Sequence, residues 1–214
     1  MVESTSLLMR QGRNPLVGSN PTVSARSFGK ENEQETTFYT SIIMEKFEPD
    51  FESKEKLRDA TLVFLIRKSQ EKSEICLAMK KRGFGMNRWN GVGGKVEKDE
   101  SIGSAAAREA QEEIGVEIKQ INKCAELSFY FPHNPAWNQK VHVYFSEIWD
   151  GEPSESDEMK PQWFTTQEIP FDAMWPDDEF WIPEVLSGKL VRASFIFGEG
   201  DVIQNKEVQI VENF

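Results

Sequence analysis

The chain has 214 residues, enough for one substantial core and too few for two large ones. Acidic residues outnumber basic ones by 36 to 25, and the formal net charge of −11 argues against a nucleic-acid backbone as the main partner. An anionic small molecule would instead need a metal ion and a few placed lysines. The longest clean apolar run, residues 61–66, is far too short to span a membrane. Cys76 and Cys124 form no CxxC pair, which fits reduced thiols in a cytoplasmic protein better than a disulfide framework. No internal repeat is visible.

Residues 1–57 differ from the rest and read as a disordered tail. Residues 1–30 are rich in Ser, Asn and Gly and interrupted by Pro15 and Pro21; residues 31–57 turn acidic without periodicity. The arginines and serines suggest a mitochondrial presequence, but the prolines with Gly12 and Gly18 would break the amphipathic helix such a signal needs. A second reading comes from the genetic code. Gly18-Ser19-Asn20-Pro21 is what the common tRNA T-arm sequence GGTTCGAATCC would encode, so the first forty or so residues could be a mis-called start, with Met44 the true initiator.

From Leu57 the chain reads as one globular domain, residues 58–214. Residues 61–66 and 75–81 predict a strand pair joined by a polar turn. A loop over 83–88, a short strand near 89–92 and a helix over 101–114 follow. Residues 125–131 alternate, with Ala125, Leu127, Phe129 and Phe131 on one face, and Val141, Val143 and Phe145 repeat the pattern after a loop at 132–139. A short strand at 161–164, a helix from Asp178 to about Leu186 stopped by Gly188, and a strand over 190–197 complete the pattern.

The helix over 101–114 carries the chemistry. Ser101 or Asp99 can cap its start, Ala105 to Ala107 favour it, and Gly115 supplies a left-handed stop. Glu109, Glu112 and Glu113 then stand at i, i+3 and i+4, so their carboxylates share one face and repel unless a cation lies between them. Oxygen-only ligands suit Mg²⁺ first and Mn²⁺ second, and such ions commonly bridge to phosphates. Gly91, Gly93 and Gly94 allow close backbone approach to a ligand. The segment is no P-loop, because Val96 follows Lys95 where Ser or Thr is needed. A merely solvated acidic face would make the glycines, Arg108 and the glutamates coincidental.

Gly94, Glu100, Arg108-Glu109-Ala110, Glu112-Glu113 and Gly115-Val116, at these spacings, resemble the complete signature of the Nudix hydrolases. Ala110 departs from the larger aliphatic residue usual there, which bears on packing behind the helix. The resemblance implies an α/β/α sandwich with a mixed sheet and cleavage of a nucleoside diphosphate linked to a further group. Segments 79–96, 155–164 and 174–181 are similar to the oxidised purine nucleoside triphosphate hydrolases, or 8-oxo-dGTP diphosphatases, over nearly all of residues 58–214. The tail lies outside that similarity, and loop 132–139 is longer here.

That resemblance implies a metal set of the Gly93 carbonyl with Glu109, Glu112, Glu113 and Glu158. It implies a purine pocket of Asn90, Trp175, Asp177 and Asp178 walled by Phe84 and Phe129, with Thr61 and Lys80 near sugar and phosphates. It further implies hydrolysis to a nucleoside monophosphate and pyrophosphate, with Glu113 or Glu112 as base and Arg108 orienting Glu109. The partner expected is a nucleotide, handled by a monomer, with no membrane involved. Two adjacent carboxyls in an apolar pocket resist double ionisation, so Asp177 and Asp178 should share a proton and read either oxidised guanine or oxidised adenine. The plainer reading makes Trp175 and Phe129 core residues and one aspartate a helix cap. His133 and His142 look like surface residues. Two rivals remain at this level: a Nudix hydrolase of another nucleotide such as ADP-ribose, weakly favoured by Pro132, and a non-catalytic Nudix sensor, which would be expected to lose the glutamates. No GxSxG or Cys–His arrangement supports a covalent hydrolase.

Overall fold

The computed structural model describes residues 57–70 and 72–214. The expectations for the tail, including Met44 as initiator, lie outside the described residues. The strands are β1 (Arg58–Lys68), β2 (Ser73–Lys80), β3 (Trp89–Asn90), β4 (Glu117–Tyr130), β5 (Gln139–Asp150), β6 (Met159–Thr165), β7 (Leu190–Phe197) and β8 (Ile203–Val211). The helices are α1 (Ile102–Ile114) and α2 (Asp178–Leu186). All the strands join one sheet in the order β3-β2-β1-β5-β4-β7-β8, with β6 on the other edge of β2. The sheet is mixed, because β1 with β5 and β4 with β7 run parallel and the remaining pairs antiparallel.

The continuous apolar run of β1 reflects burial on both faces, as a central strand between two helical layers requires. Phe64 and Ile66 pack on one face with Trp181, Ile182 and Val185 of α2. Val63 and Leu65 pack on the other with Ala106, Ala110 and Ile114 of α1. The result is the α/β/α sandwich expected. Ala110 is fully buried, so its small side chain brings α1 close to the sheet. Ser101 caps α1 by accepting a hydrogen bond from the Ser104 N–H at 3.1 Å. Gly115, at φ 75°, ends it by donating to the Gln111 carbonyl.

Three features depart from the sequence reading. β4 begins at Glu117, eight residues before the visible alternation, and its mostly exposed first half follows β5 through register shifts that blur a period of two. β8 carries no strong apolar pattern and owes its strand conformation to antiparallel pairing with β7. His142 is buried rather than superficial. It sits on an interior strand beside Thr61 and Glu126, with Nε2 2.8 Å from Asp59 Oδ1. Cys76 and Cys124 are free and buried, and burial pushes each thiol up to about 12. No helix among the described residues is long and apolar enough to cross a membrane.

The left-handed cap makes a test. A Cβ at Gly115 would meet Ser154 Oγ at 3.1 Å in a conformation L-residues avoid. Gly115→Ala is expected to destabilise the fold by about 1–2 kcal/mol in chemical denaturation.

Candidate active site

The site begins with the segment following β3. Residues 91–96 lie against β1: Val63 and Val92 exchange backbone hydrogen bonds, and the Thr61 N–H donates to the Gly94 carbonyl at 2.8 Å. A Cβ on Gly93 would stand 2.1 Å from the Thr61 carbonyl oxygen, and one on Gly94 would stand 2.4 Å from Glu109 Oε1. These glycines therefore let β1 and the acidic face of α1 approach across a bare backbone.

On that face two side-chain cations divide the carboxylates. Arg108 donates to Glu109 at 2.9 Å and to Glu112 at 3.1 Å, while Glu100 grips its Nε and Nη2 at 3.0 and 3.1 Å. Arg108 thus orients Glu112 as well as the expected Glu109. Lys80, at the end of β2, reaches Glu113 at 3.0 Å and Glu158 at 3.3 Å. The Gly93 N–H holds the other Glu113 oxygen at 2.9 Å. Arg82 also binds Glu158, at 2.6 Å.

Burial raises the Glu113 carboxyl above the usual range, against the pull of Lys80 and the Gly93 N–H. Burial works against the Lys80 ammonium, but Glu113 and Glu158 outweigh it and its pKa is raised. Glu158 is held below the ordinary carboxylate range by Arg82 and Lys80. Among the described residues no three acidic side chains converge into a ready-made ion cage. The repulsion expected within the glutamate triad is relieved by Arg108 and Lys80. The donor set still fits a hard divalent cation: it is all oxygen, and the ammonium of Lys80 already rests between the Glu113 and Glu158 carboxylates.

From this cluster a cleft of about 540 Å³ runs to the start of α2. Thr61, Lys80, Phe84, Asn90, Phe129, Trp175, Asp177 and Asp178 all line it, as do Gly93 and Glu158. Glu109, Glu112, Glu113 and Arg108 stand outside that lining, with Glu113 joined to it through Lys80 and Gly93. Phe129 stacks on Phe195 at 5.7 Å, and Phe84 lies 4.9 Å from Trp175 at 30°. Asn90 accepts from the Gly91 N–H at 2.8 Å, which steadies its amide and leaves the NH₂ to meet a ligand.

At the far end Asp177 and Asp178 are each only 2% exposed. Asp177 accepts from the Trp181 indole N–H and Asp178 from the Trp175 backbone N–H, both at 3.1 Å. Asp177 occupies the N-cap position of α2 without a side-chain capping bond, while Asp178 fastens the turn that enters the helix. Burial pushes Asp177 up to about 7, and burial together with the neighbouring Asp177 charge pushes Asp178 well above the usual range. The pair retains a proton where exposed carboxyls have lost theirs.

Several residues here carried no sequence signal. Arg88 lies over the Trp175 ring at 4.0 Å and pairs with Asp201 at 2.9 Å, tying the Trp175 end of the cleft to the turn before β8. Met159 and Trp181 also line the cleft. Trp181 packs in the core as well. The alternation over 125–131 could have flagged Leu127 and Phe131 as further lining.

The NUDIX domain family matches residues 56–185. The chain is 40% identical over 154 residues to the oxidized purine nucleoside triphosphate hydrolase of Mus musculus, covering 72% of this chain and 96% of that protein. It is 40% identical over 153 residues to the protein of the same name in Danio rerio, covering 72% and 95%. Among solved structures, the MutT protein of Bacillus halodurans superposes with a TM-score of 0.62 at 22% identity, over 72% of this chain and 98% of that one, a likeness of fold. By the extent of the family match and the identity to these relatives, this chain belongs to the Nudix hydrolase family.

Proposed function

We propose that this protein hydrolyses oxidised purine nucleoside triphosphates, 8-oxo-dGTP and 2-hydroxy-dATP among them, to the nucleoside monophosphate and pyrophosphate, sanitising the nucleotide pool as a cytoplasmic monomer. The observation that carries the reading is the cleft itself, with two buried aspartates at one end and Lys80, Gly93 and Glu158 at the other, beside the helix glutamates. Aromatic walls hold the flat faces of a base, and Asp177, Asp178 and the Asn90 NH₂ address its edge. A carboxyl pair that holds one proton in either of two places donates to one oxidised base and accepts from another.

Glu109, Glu112, Glu113, Glu158 and the Gly93 carbonyl would hold Mg²⁺, with Mn²⁺ an alternative. When bound, the ions neutralise the triphosphate and lower the pKa of the attacking water. Glu113 is the first choice for the base that takes the water's proton, because burial already lifts its affinity for one; Glu112 is the second. The water oxygen attacks a bridging phosphorus, and the P–O bond to the pyrophosphate group breaks. Arg108 positions Glu109 and Glu112. Lys80, which pairs with Glu113 and Glu158 here, would be free to face phosphate if those carboxylates held ions.

Turnover of 8-oxo-dGTP, 2-hydroxy-dATP, dGTP and ADP-ribose with and without Mg²⁺ tests the reading. The oxidised purines are expected to lead and chelation to abolish activity; equal or better use of ADP-ribose would overturn it. Glu113→Gln keeps an acceptor for the Gly93 N–H and should lower kcat by about 10²–10⁴-fold while the protein stays folded by circular dichroism. Asp177→Asn should raise KM for oxidised purines more than for dGTP.

The aspartate pair also makes stability depend on pH. Between the ordinary carboxylate pKa and about 7 the unfolded chain has released protons that the folded pair retains. Stability contributed by the pair is therefore full at low pH and is lost as pH rises toward neutrality. Asp177→Asn should match wild type in thermal unfolding near pH 3 and exceed it increasingly as pH rises from about 4 to about 7.

A further inference from the structure

The loop between β4 and β5 does more than connect strands. It is cross-tied: the Phe131 N–H donates to Asn138 Oδ1 at 2.7 Å, the Asn134 N–H to the Phe131 carbonyl at 2.8 Å, and Pro135–Trp137 form a 3₁₀ turn. The turn presents the Trp137 ring to Phe84, with centroids 5.1 Å apart at 52°, and edge-on to Phe131 at 5.7 Å. Phe84 in turn lies against Trp175. Trp137 is 38% exposed and stands outside the cleft lining, so it reaches the cleft through Phe84.

Phe84 needs this support. It is 47% exposed and sits between Gly83 and Gly85, at φ 77° and 79°, with open space where a Gly83 side chain would be. The loop around it is tied by backbone hydrogen bonds from Met86 to Gly83 and from Arg88 to Gly85, both at 3.1 Å, so what places the exposed ring is its contact with Trp175 on one side and with Trp137 and Phe131 on the other. A base between the Phe84 and Trp175 rings needs two contact distances of about 3.5 Å. The present separation is 4.9 Å, so a base seated there would press Phe84 outward against Trp137.

We infer that Trp137 is a positioning residue that sets the purine preference of this cleft, bracing Phe84 as its movable outer wall. The inference rests on the proposal that the cleft takes an oxidised purine. A two-ring base covers more of a braced wall than a one-ring base, so the brace favours purines over pyrimidines.

The test is steady-state hydrolysis of 8-oxo-dGTP and dCTP with Mg²⁺ by wild type, Trp137→Ala and Trp137→Phe, with calorimetric binding of 8-oxo-dGMP to each. Trp137→Ala should raise KM for 8-oxo-dGTP and weaken 8-oxo-dGMP binding by roughly five- to tenfold, with kcat held within about twofold. KM for dCTP should change less than about twofold, and Trp137→Phe should restore the wild-type values. Unchanged KM and binding in Trp137→Ala, equal losses on both nucleotides, or no rescue by phenylalanine would overturn the role of Trp137 while leaving an active wild type and its proposed function intact. A wild type that neither turns over 8-oxo-dGTP nor binds 8-oxo-dGMP would overturn both.

Discussion

The close passage of a bare backbone between β1 and α1 is the constraint on which the site depends. Gly93 and Gly94 have no room for a Cβ, one because of the Thr61 carbonyl and the other because of the Glu109 carboxylate. That contact places the Gly93 N–H on Glu113 and sets the acidic face of α1 against the mouth of the cleft. Ala110 acts from behind in the same sense, since a small buried residue lets the helix lie close to the sheet.

Charge compensation then decides what this crowded acidic face can do. Arg108, anchored by Glu100, holds two of the helix glutamates, and Lys80 spans from the third to Glu158 on another segment. Both cations sit on ordered elements, so the carboxylates are oriented before any ligand arrives. Such preorganisation removes part of the ordering cost that binding would otherwise carry. Burial at Glu113 and ion pairing at Glu158 pull the two carboxyls that share Lys80 in opposite directions, which gives chemically distinct groups within one cluster.

At the other end of the cleft the same physics runs through aromatic packing. Arg88 lies against Trp175, Phe84 against Trp175, and Trp137 against Phe84, so the lining residues Phe84 and Trp175 are backed by flat groups outside the cleft. The low-polarity surroundings that favour stacking also keep Asp177 and Asp178 protonated beyond the ordinary range. Aromatic packing and the raised aspartate pKa values therefore have a common origin in burial.

Much of this was written locally in the chain. The i, i+3, i+4 glutamates, the Ser101 cap and the Gly115 stop depend on helix geometry alone, and the alternation over 125–131 depends on the two-residue period of a strand. The apolar run over 61–66 likewise marked a strand, paired with 75–81 across a polar turn. Tertiary structure decided the rest, because the deciding partners are far apart in sequence. The polar strand β8 exists through its pairing with β7, His142 is covered by strands on both sides, and Arg88 meets Asp201 across 113 positions. Whether the glutamates face a bound ion or the side-chain cations Arg108 and Lys80 was likewise beyond spacing arguments. Periodicity reports which way a side chain points, whereas the charge it meets there is set by how the sheet brings distant segments together.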